Sequence, residues 1–204
     1  MPNWCNNTIT ITGPEQKIRA LWELANQKDG GLLSAMVPSP QELGETTAPN
    51  TDSDERQAEL VEKYGFDNWY DWQVNNWGTK WDVSTEGLEL SDDGTEITGW
   101  FDSAWSPPVS AYEFYGKANP DVKIEAIYHE PGMAYVGACT VEEGEADDSY
   151  YDYGDCNSNT VRDYIGETLD DDFGISEMMA EYESEEEEEL TEWLREGAEK
   201  RFEA

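Results

Sequence analysis

The sequence has few basic residues, and this scarcity bounds what the protein can bind. Twelve Lys and Arg stand against 47 Asp and Glu in 204 residues, which gives a formal net charge of −35 at pH 7. So large an excess of negative charge disfavours direct binding to nucleic acid or to an anionic membrane surface. We therefore expect partners with basic surfaces, no direct nucleic-acid binding and no membrane binding.

The sequence also lacks a signal peptide and any apolar run long enough to span a membrane. Its three cysteines, Cys5, Cys139 and Cys156, are odd in number and have no paired metal-binding or redox spacing. Reduced thiols are usual in cytosolic proteins. We therefore expect a soluble cytoplasmic protein.

No catalytic constellation is present. The one histidine, His129, precedes a predicted hairpin turn, and the sequence places no partner beside it for acid–base chemistry. The acidic run Asp170, Asp171 and Asp172 misses the spacing of a calcium-binding loop. We predict a non-enzymatic protein with no catalytic residue, no metal site and no cofactor.

What the sequence does have is tryptophan. Residues 68–82, NWYDWQVNNWGTKWD, contain four of the nine tryptophans. Each ring buries roughly 150–250 Å² when it is packed, so most of this cluster is predicted to form an aromatic core. The alternative is a pocket in which the rings stack on a base, a sugar or a cation. The candidate residues of that pocket are Asn75, Asn76, Trp77, Trp81, Asp102 and Trp105.

Periodicity predicts an α+β fold. Alternation in residues 3–12 indicates a strand, and helices are predicted after Pro14, over residues 69–78 and over residues 109–117. Hairpins are predicted around Asp92-Asp93-Gly94 and Pro131-Gly132. Residues 31–40 are predicted as an edge strand or extended loop, and residues 80–85 as a strand. An antiparallel sheet with helices on one face accommodates this order, with an insertion at about 41–65.

The charge is uneven along the chain. Residues 142–204 contain 24 acids and 4 bases, a net charge of −20, whereas residues 1–141 contain 23 acids and 8 bases, a net charge of −15. This break predicts a domain over 1–141 and an acidic C-terminal extension over 142–204. The extension is predicted to be flexible at first and then partly helical.

Three interpretations of the extension are open: a solvated appendage, adaptation to high internal salt, or imitation of the DNA backbone. As a helix, residues 177–203 would carry twelve carboxylates over about 40 Å, or one per about 3.4 Å. One DNA strand has a similar phosphate spacing. Trp193 and Leu194 are expected to dock the helix. The candidate partner-binding residues are Glu181, Glu183, Glu185, Glu186, Glu188, Glu189 and Glu192.

Four segments, MPNWCNNTITITGP, NWYDWQVNNWGTKWD, FDSAWSPP and YHEPGMAYVG, occur in this order between residue 1 and about residue 141. Together they resemble the phage- and plasmid-encoded proteins that have a YubB-type ferredoxin-like domain. The resemblance implies a ferredoxin-like α+β fold and a home on bacterial mobile elements, which argues against the high-salt interpretation. The family has no established activity, so the resemblance implies no residue roles. The acidic extension lies outside these segments.

Mobile elements often use very acidic small proteins against host enzymes that bind DNA. We therefore predict an anti-defence DNA mimic in the bacterial cytoplasm, which occupies the basic nucleic-acid-binding surface of a host protein such as a restriction or CRISPR enzyme. The alternative is a ligand-binding module that uses the tryptophan-rich pocket to bind or sequester a small molecule.

Overall fold

The computed structural model describes residues 3–28 and 30–202, and the side chains of these residues as far as Arg195. In this part of the chain the strands are β1 (Trp4–Thr12), β2 (Leu88–Leu90), β3 (Glu96–Ala104), β4 (Lys123–Glu130), β5 (Tyr135–Glu142) and β6 (Glu145–Asp152). The helices are α1 (Glu15–Ala25), α2 (Leu32–Met36), α3 (Gln41–Gly44), α4 (Asp54–Tyr64), α5 (Trp69–Trp77), α6 (Val109–Ala118), α7 (Val161–Ile165), α8 (Glu167–Phe173) and α9 (Ile175–Phe202).

The strands form one antiparallel sheet in the order β2-β3-β1-β4-β5-β6. The segment β1-α1-β2-β3-α6-β4 has the β-α-β-β-α-β order of ferredoxin-like folds, and β5 and β6 extend one edge of its sheet. In the register of the central strands, Ile9 lies opposite both Gly99 and Ala126. The predicted α+β fold and both predicted hairpins are confirmed.

The core covers one face of the sheet. Ile9 and Ile11 on β1 are fully buried, as is Ile124 on β4. Ile18 from α1 and Tyr112 from α6 are buried in the same hydrophobic cluster. Each fully buried aliphatic side chain contributes about 1.5–3 kcal/mol relative to an exposed one. The helices that contribute to this cluster therefore lie on the buried face of the sheet, as the sequence predicts.

Part of the tryptophan cluster belongs to this core. Trp72 and Trp77 on α5 are buried and pack edge to face, with ring centroids 5.9 Å apart. The indole Nε1 of Trp77 donates a hydrogen bond to the Val37 carbonyl oxygen at 2.9 Å. Asn68 caps the start of α5, and Gly78 ends it with a φ of 89°. The predicted helix over residues 69–78 is confirmed.

Two predictions are wrong where residues 80–85 contact the start of α2: the edge strand or extended loop over residues 31–40, and the strand over residues 80–85. Residues 32–36 form α2, because the Asp82 carboxylate accepts hydrogen bonds from the backbone nitrogens of Leu33 and Ser34 at 2.8 and 3.1 Å. The N-terminal cap of this helix thus comes from a residue almost fifty positions away. Residues 80–85 form no strand, because they contact the start of α2 and not a neighbouring strand. The Leu32 nitrogen donates to the Val83 carbonyl oxygen at 3.1 Å.

The predicted flexible segment after residue 142 instead contains β6. Its side chains are mostly exposed and acidic, a composition that discourages pairing of an edge strand with other chains. The Tyr128 hydroxyl donates to Oδ1 of Asp148 at 2.9 Å, and the ring of Tyr150 lies 5.3 Å from that of Tyr135. β6 is therefore held by contacts that local hydrophobicity does not show.

The chain divides into two compact units between Tyr150 and Tyr151. The first unit contains α1 to α6 and the sheet as far as Tyr150 near the end of β6, and the second contains α7, α8 and α9. This division comes one strand after the charge break at residue 142, because β6 continues the sheet with acidic residues.

The second unit is organised around the buried carboxylate of Asp170, which is 2% exposed. It accepts hydrogen bonds from the backbone nitrogen and hydroxyl of Ser176, both at 2.7 Å, and from a guanidinium nitrogen of Arg162 at 2.8 Å. Burial alone would raise the pKa of Asp170, but these hydrogen bonds outweigh it and hold the pKa below its ordinary value. Asp170 therefore ties α7 and α8 to the first turn of α9 as an ionised group.

One long helix, α9, follows. The sequence left open whether there would be one or two helices here, and the structure has a single helix of 28 residues. The expectation that Trp193 and Leu194 dock this helix is wrong, because both side chains are exposed, Trp193 by 69%.

No helix in the described part of the chain combines the length and apolar character needed to cross a membrane. Among the described side chains there is also no group of three or more His, Cys, Asp or Glu residues arranged to hold a metal ion.

Candidate functional sites

The structure separates the six residues predicted to form a ligand pocket. Asn75 and Asn76 use their side-chain nitrogens to donate back to the helix carbonyl oxygens of Asp71 and Trp72, both at 2.8 Å. Trp77 is part of the core.

The other three predicted pocket residues are exposed. The ring of Trp81 lies 6.2 Å from that of Trp4. Asp102 accepts a hydrogen bond from the Asn6 side-chain nitrogen at 2.7 Å on the open face of the sheet. Trp105 lies beyond the end of β3 and lines a cleft whose other residues sequence reasoning missed.

This aromatic cleft has a volume of about 740 Å³. It is lined by Ala48, Pro49, Asn50, Gln57, Asp67, Asn68, Trp69, Tyr70, Asp71, Lys80 and Trp105. Its walls come from the loop before α4, the start of α5 and two later loops. The only feature of the sequence that pointed to this cleft was the density of tryptophan, because the segments that line it are far apart along the chain.

Trp105 is held in a strained conformation at the edge of the cleft. Its φ of 73° lies in the left-handed region, which costs a residue other than glycine about 1–3 kcal/mol. Two hydrogen bonds hold it there: its nitrogen donates to the Asn3 carbonyl oxygen at 3.0 Å, and its own carbonyl oxygen accepts from the Tyr135 hydroxyl at 2.7 Å. The fold thus fixes the backbone of a residue whose side chain is 49% exposed.

A second aromatic wall of the cleft has a positively charged side chain, Lys80, beside it. Tyr70 is partly exposed, and Trp69 packs edge to face against it with ring centroids 5.8 Å apart. Lys80 Nζ lies 5.9 Å from the centroid of Tyr70 and 4.5 Å from that of Trp81. These distances are typical of cation–π contacts. Lys80 makes no ion pair with the described carboxylates.

Asn68 sets the polar side of the cleft and is only 4% exposed. Its side-chain nitrogen donates to Oδ1 of Asp67 and to Oδ2 of Asp71, both at 2.7 Å. Its side-chain oxygen accepts from the Asp71 backbone nitrogen at 2.9 Å. One buried amide therefore fixes two carboxylates, and the second oxygen of each has no hydrogen bond to the described residues.

The one histidine and the two buried cysteines are neutral at pH 7. Burial lowers the pKa of His129 to about 4 and raises the pKa of Cys5 and of Cys139 to about 12. The thiolate is the reactive form of cysteine, so burial makes both thiols poor nucleophiles.

The second candidate site is the exposed surface of α9. Glu181, Glu185, Glu188 and Glu192 recur at i, i+4, i+7 and i+11, so their side chains lie on one face, with Glu189 beside them. These five carboxylates span about 17 Å of helix axis, with a mean spacing of about 4 Å. They are exposed and make no ion pair with the described basic residues.

Glu183 differs from the other six predicted partner-binding residues. Its carboxylate accepts hydrogen bonds from the backbone nitrogen and the hydroxyl of Ser158 at 2.9 and 2.6 Å, which lower its pKa. Glu183 therefore has a structural role within the second unit, whereas Glu186 is exposed like the other five.

Next to the carboxylate face is an apolar stripe that includes Trp193 and Leu194, the two residues expected from the sequence to dock the helix. It consists of the exposed side chains of Tyr182, Leu190, Trp193 and Leu194. A helical surface with adjacent acidic and apolar faces has the composition of a protein-binding helix.

The fold defines a class of protein in which a ferredoxin-like antiparallel sheet is followed by an acidic helical region. The chain belongs to the family described as the ferredoxin-like domain in Api92-like protein, whose model matches residues 76–194, more than half of the 204 residues. The matched residues include most of the acidic C-terminal extension. That extension lies outside the four segments that resemble YubB-type proteins.

A crystal structure of the protein api92 from Yersinia pseudotuberculosis aligns with this chain at 11% sequence identity and a TM-score of 0.46. The alignment covers 74% of this chain and 98% of that one. No curated protein matches the sequence.

Proposed function

We propose that this protein is a non-enzymatic acidic accessory protein that binds the basic nucleic-acid-binding surface of another protein. The observation that carries the proposal is the face of α9 formed by Glu181, Glu185, Glu188, Glu189 and Glu192, all exposed and without ion pairs to described residues. Unpaired carboxylates in a row provide charge complementarity for a row of Lys and Arg.

The spacing of these carboxylates favours imitation of DNA over a merely solvated appendage. A mean spacing of about 4 Å along a helix is comparable with the phosphate spacing of about 3.4 Å in one DNA strand. A helix also fixes the charges relative to one another, and the hydrogen bonds of Asp170 and Glu183 hold the N-terminal part of α9 to α8 and to Ser158 in the loop before α7.

The biological setting is part of the proposal. The resemblance of the first 141 residues to phage- and plasmid-encoded proteins supports a home on a bacterial mobile element, with an anti-restriction or anti-CRISPR role in the cytoplasm of the host. The partner would then be a host DNA- or RNA-binding enzyme. The exposed Tyr182, Leu190, Trp193 and Leu194 would add short-range contacts that a purely electrostatic mimic lacks.

The proposal is tested by capture of partners from bacterial lysate. The full chain is compared with an α9 variant in which six exposed glutamates become glutamine: Glu181, Glu185, Glu186, Glu188, Glu189 and Glu192. Bound proteins are eluted with increasing salt and identified by mass spectrometry. We expect nucleic-acid-binding proteins that the full chain captures and salt releases, and that the α9 variant fails to capture.

A charge-matched control separates this site from the general negative field. The control variant replaces six exposed glutamates of the first unit with glutamine: Glu23, Glu55, Glu62, Glu86, Glu89 and Glu145. It has the same net charge as the α9 variant and is expected to capture the same partners as the full chain. Equal loss in both variants would contradict a site on α9.

A further inference from the structure

We propose that the aromatic cleft binds a neutral carbohydrate, with a pyranose ring stacked between Tyr70 and Trp105 and its hydroxyl groups donating to Asp67 and Asp71. This inference goes beyond the function proposed for α9 and does not depend on it, because the cleft lies within the first unit. No cofactor or metal is required.

The size and walls of the cleft fit a small ligand. Its volume of about 740 Å³ lies within the usual range for ligand pockets, about 300–1,000 Å³. Tyr70 and Trp105 are 37% and 49% exposed, so each offers ring surface to a ligand. A pyranose ring has an apolar face of C–H groups that covers such a surface.

The cleft is also held in place before any ligand arrives. Backbone hydrogen bonds to Asn3 and Tyr135 fix Trp105 in its strained conformation, and Trp69 packs edge-on against Tyr70. Strained backbone and fixed side chains are typical of binding sites, since preorganisation lowers the entropic cost of binding.

The polar groups of the cleft require a ligand that donates hydrogen bonds. The Asn68 amide occupies one oxygen of Asp67 and one of Asp71, and it leaves the second oxygen of each without a described partner. Ionised carboxylates only accept hydrogen bonds. Hydroxyl groups of a sugar are donors, and they fit these two oxygens.

The charges of the cleft disfavour anionic ligands, because a net charge of −35 repels nucleotides and sugar phosphates. Asp67 and Asp71 attract cations, but Lys80 already lies over the rings of Tyr70 and Trp81 and competes with a cationic ligand for them. A ligand that is uncharged, rich in hydrogen-bond donors and apolar on one face satisfies all of these conditions.

The test is saturation-transfer NMR on the full chain, with maltotriose, cellotriose and triacetylchitotriose as neutral probes. Arginine and glucose 6-phosphate serve as cationic and anionic probes. We expect saturation transfer to at least one trisaccharide and none to the two charged probes. Binding of arginine or glucose 6-phosphate alone, or no transfer to any trisaccharide, would overturn the proposal.

Three variants locate the binding. Trp105→Gly removes the ring and relieves the positive φ, so it deletes the contact without straining the backbone. Tyr70→Ala removes the second exposed ring of the cleft and is compatible with a helix. Phe114→Ala on α6 is the control, because Phe114 is about as exposed as Trp105 but lies outside the cleft.

We expect Trp105→Gly and Tyr70→Ala each to weaken trisaccharide binding by about tenfold, because each removes one stacking surface. Phe114→Ala should leave the affinity unchanged. Amide NMR spectra of all three variants check that the fold is intact. If folded Trp105→Gly and Tyr70→Ala proteins bind the trisaccharide as tightly as the unmodified chain, the ligand lies elsewhere and the proposal fails.

Discussion

At the scale of single residues, a few of the many carboxylates stabilise the fold by capping helices. Asp82 accepts hydrogen bonds from the first turn of α2, and Asp170 accepts them from Ser176 at the start of α9. Carboxylates are favourable at helix N-termini because they satisfy free backbone N–H groups and oppose the positive end of the helix dipole. These residues are therefore structural, although composition alone does not distinguish them from solvated acids.

The role of Asp82 leads to a stability prediction. Asp82→Ala should lower the free energy of unfolding by about 1–2 kcal/mol, because two N–H groups of α2 lose their acceptor. Urea denaturation of the full chain measures this change. Asp52→Ala is the control, since Asp52 is exposed and its carboxylate makes no hydrogen bond with the described residues, and it should change stability by less than about 0.5 kcal/mol. If both variants lower the free energy of unfolding equally, the hydrogen bonds from Asp82 to α2 do not stabilise the fold.

Burial of His129 predicts a pH dependence. Its pKa is about 4 in the folded protein, below the ordinary value of 6.5, so the unfolded chain takes up this proton first as the pH falls. Stability should therefore decrease between pH 6.5 and pH 4, by about 1.4 kcal/mol per pH unit from this residue. Above pH 6.5 His129 does not contribute to the change of stability with pH.

The measurement is urea denaturation of the unmodified chain and of His129→Gln at several pH values from 7 to 5. Because glutamine does not titrate, the stability difference between the two proteins should shrink as the pH falls. The other acidic groups titrate in both proteins, so their contribution cancels in the difference. A difference that stays constant over this range would mean that His129 is accessible to protons in the folded state.

At the scale of elements, the sequence predicts what depends on local pattern. Alternating residues located β1, and Gly78 located the end of α5. The failures involve distant contacts: α2 depends on Asp82, and β6 is an acidic edge strand held through Tyr128 and Tyr150.

The candidate sites divide in the same way. The acidic face of α9 follows from helical periodicity within one segment, so its five residues are all among the seven predicted from the sequence. What the sequence does not show is the structural role of Glu183, whose partner Ser158 is 25 positions away. The aromatic cleft combines a loop before α4, the start of α5, Lys80 and Trp105. Its assembly depends on the tertiary fold, so only Trp105 was predicted.

The charge on α9 makes its own prediction about the helix. Glu181 and Glu185, like Glu188 and Glu192, are spaced i, i+4, and like charges at this spacing destabilise a helix. Raising the salt concentration to about 0.5 M should slow amide hydrogen exchange in α9, because screening reduces this repulsion. Exchange in α6, which packs on the sheet, provides the internal control and should change little. If α9 exchanges at the same rate at both salt concentrations, repulsion does not limit its stability.

At the scale of the whole molecule, the net charge of −35 sets how this protein meets others. Such a field accelerates association with basic proteins and weakens as salt is added. The field is shared by the whole chain, whereas the carboxylate row and the apolar stripe belong to α9. Specific binding should therefore depend on α9, and general electrostatic attraction should not.

The most direct test of this account is displacement of DNA from a captured nucleic-acid-binding partner, followed by fluorescence anisotropy of a labelled duplex. We predict that the full chain and the control variant displace the duplex at similar concentrations, and that the α9 variant requires at least about tenfold more, since each close charge pair contributes about 1.5 kcal/mol or more. Displacement by all three proteins at the same concentration, or binding of the full chain to the partner without release of DNA, would contradict the claim that α9 takes the place of a nucleic acid.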